Sequence, residues 1–212
     1  MTAGSTPAGT LLVATTNTGK LREIAAILDG LPIPLRTLRD CPAIAEPDET
    51  GLTFGENARL KALYYAEATG LLSVADDSGL EIEALDNAPG VHSARWQGSD
   101  YAIKFRRIQD LLHERGVGHS PARFVCHVAL ARDGEILFES EGIVRGETTA
   151  EPRGANGFGY DPIFFYPPLG RTLAELNLAD KAAVSHRGQA FAALRDYLAA
   201  HPDLTSIVPT GG

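Results

Sequence analysis

Asp76 and Asp77 stand side by side after a short apolar run, in the segment Leu71-Leu72-Ser73-Val74-Ala75-Asp76-Asp77-Ser78-Gly79-Leu80. Leu71 to Ala75 reads as a buried strand, and carboxylates are costly to bury without partners. A strand that ends in such a pair delivers negative charge to the rim of a sheet, where α/β proteins place their ligands. Oxygen donors of this kind suit magnesium or calcium. The competing reading is a turn, because Asp-Asp-Ser-Gly is also good turn chemistry.

Three other segments carry chemistry. The loop Thr15-Thr16-Asn17-Thr18-Gly19-Lys20 lies between a strand and a helix, where backbone N–H groups and the Lys20 charge suit an anion. It is not a Walker A loop, which needs glycine where Ala14 stands and Ser or Thr where Leu21 stands. The plainer reading makes Asn17 and Gly19 turn residues and Lys20 a solvated one. Gly157-Phe158-Gly159-Tyr160-Asp161-Pro162 sets two aromatics among glycines. Glycine permits close approach to a ligand and an aromatic face can stack on a base, although both rings could equally plug the core. Ser185-His186-Arg187 follows Lys181 closely, so positive charge gathers at a helix start, against the dipole, as an anionic or carbonyl-bearing ligand would require.

The elements that position these groups follow from periodicity and breakers. Leu11 to Ala14 is a short strand, and a helix to Leu28 places Leu21, Ile24, Ala25 and Leu28 on one face. Leu35 to Leu38 reads as a second strand, and Cys41 to Gly51 as a proline-rich, acidic loop carrying Glu49. Thr53 and Glu56 form a capping box for a helix to Thr69, on which Asn57 and Lys61 share a face that could point into a cleft, a solvated Lys61 being the commoner outcome. A helix spans Asp100 to Glu114. Phe124, Cys126, Val128 and Leu130 alternate as a half-buried strand, and Asp133-Gly134 turns it into a partner from Glu135 to Arg145. Ile163 to Tyr166 is a short strand, Thr172 to Glu175 is a second capping-box candidate, and a last helix runs from Ser185 to just before Pro202. Helices and strands alternate and then a hairpin appears, so the fold class is α/β with a mixed central sheet.

Composition sets the bounds. The 212 residues suit one domain or two packed lobes, with residues 1–9 and 201–212 read as tails and 10–200 as the folded part. The net charge of −8 argues against a broad nucleic-acid surface. Two distant cysteines, Cys41 and Cys126, make neither a disulfide framework nor a zinc site, so a reducing cytoplasm is expected. No apolar stretch reaches the length of a membrane span, and the first residues lack the features of a signal peptide.

In order, the motifs Thr-x-Asn-x-Gly-Lys, Thr-Phe-x-Glu-Asn-Ala, Ala-Asp-Asp-Ser-Gly-Leu, Pro-Gly-x-x-Ser-Ala-Arg, Gly-Phe-Gly-Tyr-Asp-Pro and Ser-His-Arg resemble those of the inosine/xanthosine triphosphate pyrophosphatase family. The resemblance covers Leu11 to Leu198. It implies an elongated α/β fold with two lobes flanking a deep cleft, a homodimer, and magnesium-dependent cleavage of ITP, dITP or XTP to the monophosphate and pyrophosphate. Under it, Thr15, Thr16, Asn17, Thr18, Gly19 and Lys20 hold the triphosphate, and Ser78 and Lys61 contact phosphates. Asp77 is the general base and a magnesium ligand, with Glu49 the second carboxylate and Asp76 in support. Phe158, Gly159, Tyr160 and Asp161 line the nucleoside pocket, with Phe158 stacking on the base. Lys181, His186 and Arg187 approach the purine's 6-oxo edge. A pyrophosphatase for other modified nucleotides, and a binding protein without catalysis, are the alternatives. The Ser-His-Arg and Phe-Gly-Tyr-Asp segments count against the first, and the retained acidic pair against the second.

Overall fold

A computed structural model describes residues 9–205, so the reading of residues 1–8 and 206–212 as tails lies outside the described residues. Seven strands form one mixed sheet in the order β2-β1-β3-β4-β5-β6-β7. They are β1 (Leu11–Val13), β2 (Leu35–Thr37), β3 (Leu72–Ile82), β4 (Pro121–Arg132), β5 (Glu135–Thr148), β6 (Phe164–Tyr166) and β7 (Arg171–Thr172). Among the described residues six α-helices accompany them: α1 (Thr18–Ile27), α2 (Phe54–Thr69), α3 (Tyr101–Glu114), α4 (Leu178–Val184), α5 (His186–Ala200) and α6 (Pro202–Thr205). The α/β class with a mixed sheet is as the sequence indicates. Among the described residues no helix is long and apolar enough to cross a membrane.

The chain divides into two compact units, Met1–Asp76 with His127–Ser140 and Phe191–Gly212, and Asp77–Cys126 with Glu141–Ala190. The boundary falls between the two aspartates. In the first unit β1 pairs in parallel with β2 and β3, Val13 lying opposite Val74. Helix α2 presents Ala58, Ala62 and Ala66, one turn apart, to Leu12, Ala14, Ala75, Ala129 and Ala131. Small side chains on both faces let helix and sheet approach closely. Asp133 and Gly134, at φ 53° and 82°, make the two-residue turn joining β4 to β5, the positive angles that a tight hairpin turn demands.

The second unit packs Leu80, Ile82, Ile108, Leu112, Phe124, Phe164 and Leu173 into its own core. Its β5–β6 and β6–β7 pairings are antiparallel.

One expectation is corrected, and the second capping box is found. The strand does not stop at Ala75: β3 runs for 11 residues, through Asp76-Asp77-Ser78-Gly79, so the pair lies inside a strand and the turn reading fails. Leu80 and Ile82, 1% and 0% exposed, continue the buried alternation beyond the pair, and a lysine described below balances the first carboxylate. The Thr172–Glu175 box closes a single 3-10 turn, Leu173–Glu175; the following α4 is capped instead by Asn177, whose side chain accepts from the Asp180 N–H.

Candidate active site

In the first unit, β1 leads into α1 through Asn17. Its Oδ1 accepts from the N–H groups of Gly19 and Lys20 at 2.9 and 3.1 Å, which starts the helix at Thr18. Two of the N–H donors expected to face an anion are thus used by the cap. What this turn offers a ligand is the hydroxyls of Thr15, Thr16 and Thr18 and the charge of Lys20. Thr15 Oγ1 accepts from the Asn17 N–H at 3.3 Å, and Thr16 donates to Glu46 at 2.9 Å.

Parallel pairing of β1 with β3 brings the start of α1 beside Asp76. Lys20 Nζ lies 2.9 Å from Asp76 Oδ2, with the carboxylate side chain 1% exposed. Asp76 and Asp77 are both buried, yet successive residues of a strand face opposite sides. The two carboxylates therefore have different surroundings, and Asp76 is the one held by Lys20.

Lys61, on α2, pairs with Glu49 at 2.9 Å. Asn57, one turn before Lys61, has a structural contact of its own. It is 1% exposed and grips Gly51, accepting from its N–H at 2.8 Å and donating to its carbonyl at 3.4 Å. A Cβ on Gly51 would lie 2.7 Å from Asn57 Oδ1, so glycine is required for this grip. The loop carrying Glu49 is thereby anchored to α2. The capping box adds to the anchor, with Glu56 accepting from the Leu52 and Thr53 N–H groups at 2.7 and 3.0 Å. Those backbone bonds, Leu52's foremost, hold the Glu56 carboxyl below its ordinary range.

The second unit gathers Ser78, Phe158, Asp161, Lys181 and Arg187. Asp161 Oδ2 accepts from Lys181 Nζ in a short ion pair and from the Phe158 N–H at 2.8 Å. Arg187 donates to Ser78 Oγ at 2.7 Å. Lys181 Nζ and Arg187 Cζ lie 5.0 and 5.4 Å from the centre of the Phe158 ring, within cation–π range. His186 stacks on Phe124 at 4.6 Å, nearly parallel at 9°.

Backbone contacts fix the turn that carries His186 and Arg187. Ser185 Oγ accepts from the Gly188 N–H at 3.0 Å. Gly188 packs against α4 so closely that a Cβ would come within 1.8 Å of the Ala182 carbonyl oxygen.

Tyr160 is not placed with this group. It is 4% exposed, packs in the core, and donates its hydroxyl to the Ser93 carbonyl at 2.9 Å. Gly159 is half-buried beside Tyr101, whose hydroxyl would lie 3.5 Å from a Cβ placed there. Sequence reasoning missed Phe124 as the platform under His186, and Asn57 as the clamp. Phe124 carried no signal beyond strand alternation, whereas Asn57 stands inside a quoted motif.

Gly157 is needed where it stands. Its φ is +71° and a Cβ would sit 2.2 Å from Asp161 Oδ2. Gly157→Ala should lower the thermal midpoint more than Gly70→Ala, a left-handed position with nothing within 4 Å of the added carbon. Gly70→Ala reports left-handed strain alone, about 1–2 kcal/mol. Equal midpoints in a thermal melt would show that the Asp161 carboxylate tolerates the extra atom.

Each unit of this α/β protein thus carries a cluster of buried or half-buried charge, the first unit's made of carboxylates and lysines and the second unit's of cations around the Phe158 ring. The chain belongs to the Ham1 family, whose sequence model matches residues 11–197. It is 48% identical to the dITP/XTP pyrophosphatase of Geobacter sulfurreducens over 190 residues, covering 89% of this chain and 96% of that protein. It is 50% identical to the dITP/XTP pyrophosphatase of Nostoc sp. over 192 residues, covering 90% and 94%. The fold is similar to that of a HAM1 protein from Coxiella burnetii, with a TM-score of 0.81, 40% identity, and coverage of 90% of this chain and 98% of that one.

Proposed function

We propose that the chain hydrolyses noncanonical purine nucleoside triphosphates, XTP, ITP and dITP, to the monophosphate and pyrophosphate. The observation that carries this reading is Phe158 flanked by Lys181 and Arg187: a stacking face bordered by hydrogen-bond donors suits a purine with a carbonyl at position 6. Adenine presents an amino donor there, leaving buried donors unmatched, and such mismatches are strongly rejected. Guanine keeps the 6-oxo group, so its 2-amino group must be what excludes it. The names of the similar proteins support the same substrate class.

Catalysis falls to Asp77. Water attacks the α-phosphorus, the bond from that phosphorus to the bridging oxygen breaks, pyrophosphate leaves with the electron pair, and Asp77 accepts the water's proton. Lys20 and Lys61, each already bound to a carboxylate, stand ready to neutralise phosphate charge. Ser78 and the threonines of the β1–α1 turn contribute hydroxyl donors.

The carboxylates fit a magnesium ion chemically, being hard oxygen donors. Among the described residues no three His, Cys, Asp or Glu side chains gather into a ready-made metal cluster. Magnesium matches that sparseness, since it binds through one or two carboxylates plus substrate phosphates and keeps several waters. Asp77 and Glu49 would hold it, with Asp76 supporting through Lys20. When bound, it supplies neutralisation of the charge that develops on the phosphates. A homodimer and a cytoplasmic location complete the proposal.

The test is product analysis with ITP, dITP, XTP, ATP and GTP. Pyrophosphate should be the direct product, released from ITP or XTP at least ~100-fold more efficiently than from ATP, the discrimination unmatched hydrogen-bonding groups readily supply. EDTA should stop turnover and magnesium restore it. Inorganic phosphate as the first product, or equal use of ATP, would rule the reading out.

A further inference from the structure

The buried stripe of α3 consists of Lys104, Ile108 and Leu112, so a lysine occupies a position where the pattern calls for an apolar residue. Lys104 is 0% exposed. Lysine is almost never fully buried, because its ammonium must be compensated. Here Nζ donates to the Ser93 carbonyl at 3.0 Å and to the Ala94 carbonyl at 2.7 Å. It also lies 4.4 Å from the centre of the Tyr101 ring and 5.5 Å from that of Tyr160. Burial pushes its pKa below the ordinary lysine value. A leucine or methionine at this position would satisfy the core at no such cost.

The partners explain what the charge holds. The Ser93 carbonyl accepts a second bond, from the Tyr160 hydroxyl at 2.9 Å. Ser93 Oγ accepts from the Leu80 N–H at 2.9 Å and donates to the Gly90 carbonyl at 2.6 Å. Leu80 follows Ser78 by two residues on β3, and Tyr160 sits directly between Gly159 and Asp161. One buried cation therefore ties together the strand that carries Ser78 and the loop that carries Phe158 and Asp161.

We infer that Lys104, acting through Ser93 and Tyr160, is a positioning residue for the base-binding loop. The inference rests on the reading of Phe158 as the stacking face for the purine. Lys104 touches neither substrate nor reacting atoms. Its effect is on where the Phe158 ring and the Asp161 carboxylate sit, and so on recognition of the base rather than on the bond broken.

The experiment compares wild type with Lys104→Met, Lys104→Arg and Tyr160→Phe, measuring kcat and KM for ITP by pyrophosphate release alongside the thermal midpoint. Lys104→Met should raise KM about tenfold with kcat within about threefold, the signature of lost binding rather than lost chemistry. Lys104→Arg keeps a charge and several donors and should recover most of that loss. Tyr160→Phe deletes only the hydroxyl on Ser93 and should raise KM about threefold, which keeps the test available if the methionine variant does not fold. A fall in thermal midpoint with KM unchanged in Lys104→Met and Tyr160→Phe would overturn the inference, leaving Lys104 a purely structural residue. Absence of ITP turnover in the wild type would instead remove the functional reading itself.

Discussion

Asp77→Asn should abolish turnover while leaving the fold and ITP binding in place. The side chain is 6% exposed and sits inside β3, so a nearly isosteric amide fits the same space. Asparagine accepts no proton from water and is a poorer ligand for a hard cation. Loss of the general base alone removes about 10²–10⁴-fold in rate, and the metal contribution falls with it. Pyrophosphate release should therefore drop by at least ~10³-fold in kcat, while the equilibrium affinity for ITP changes by less than about threefold.

Asp76→Asn makes the informative comparison. Asp76 binds Lys20 at 2.9 Å, so its loss releases the lysine that the proposed reaction sets against phosphate. That variant should show a raised KM with residual turnover. Near-normal kcat in Asp77→Asn would strip Asp77 of its role, and identical kinetics in the two variants would remove the asymmetry drawn between them.

That asymmetry shows where sequence reading stops. The motifs, and the α/β class, are visible in one dimension because glycines, caps and alternation are local features. The path of β3 is not. Asp-Asp-Ser-Gly has turn chemistry, and what overrules it is a lysine from α1 together with the buried Leu80 and Ile82 further along the strand. The Thr172 box, being local, was legible, although its reach was not. The reciprocal bonds form as expected, but the chain after Glu175 extends, so the box closes one 3-10 turn and Asn177 must start α4 afresh. A capping box signals where helical geometry begins and says nothing about how far it continues.

The sequence names candidate residues, and their individual surroundings are what only the fold reveals. Phe158 and Tyr160 look equivalent in Gly-Phe-Gly-Tyr-Asp, yet the structure buries Tyr160 against Tyr101 and leaves Phe158 with the cations. Gly159, at φ +67°, turns the chain between them and so separates the two rings. Lys104 is the extreme case. No motif of the sequence singles out this position, and only the carbonyls of Ser93 and Ala94 reveal it as an interior group.

Asp161→Ala should produce the largest stability loss of any single change at the site. Asp161 Oδ2 binds both Lys181, whose side chain is 3% exposed, and the Phe158 N–H. The net contribution of a buried ion pair is small, because desolvation offsets attraction. Breaking one is different, since a buried charge loses its counter-ion, and costs about 3–5 kcal/mol. For a chain of this length that corresponds to a fall of roughly 6–20 °C in thermal midpoint. Lys181→Met in the Asp161→Ala background removes the buried ammonium whose counter-ion is gone and should recover much of the midpoint. It should not recover ITP binding, because the Phe158 N–H still lacks its acceptor and the lysine donor is gone. A thermal melt and a KM measurement on the single and double variants separate the two contributions. Should Asp161→Ala melt within a degree or two of wild type, the carboxylate would not be what holds Lys181 in the interior. Should the double variant melt no higher than the single one, the cost would lie in the lost Phe158 contact rather than in the unbalanced ammonium.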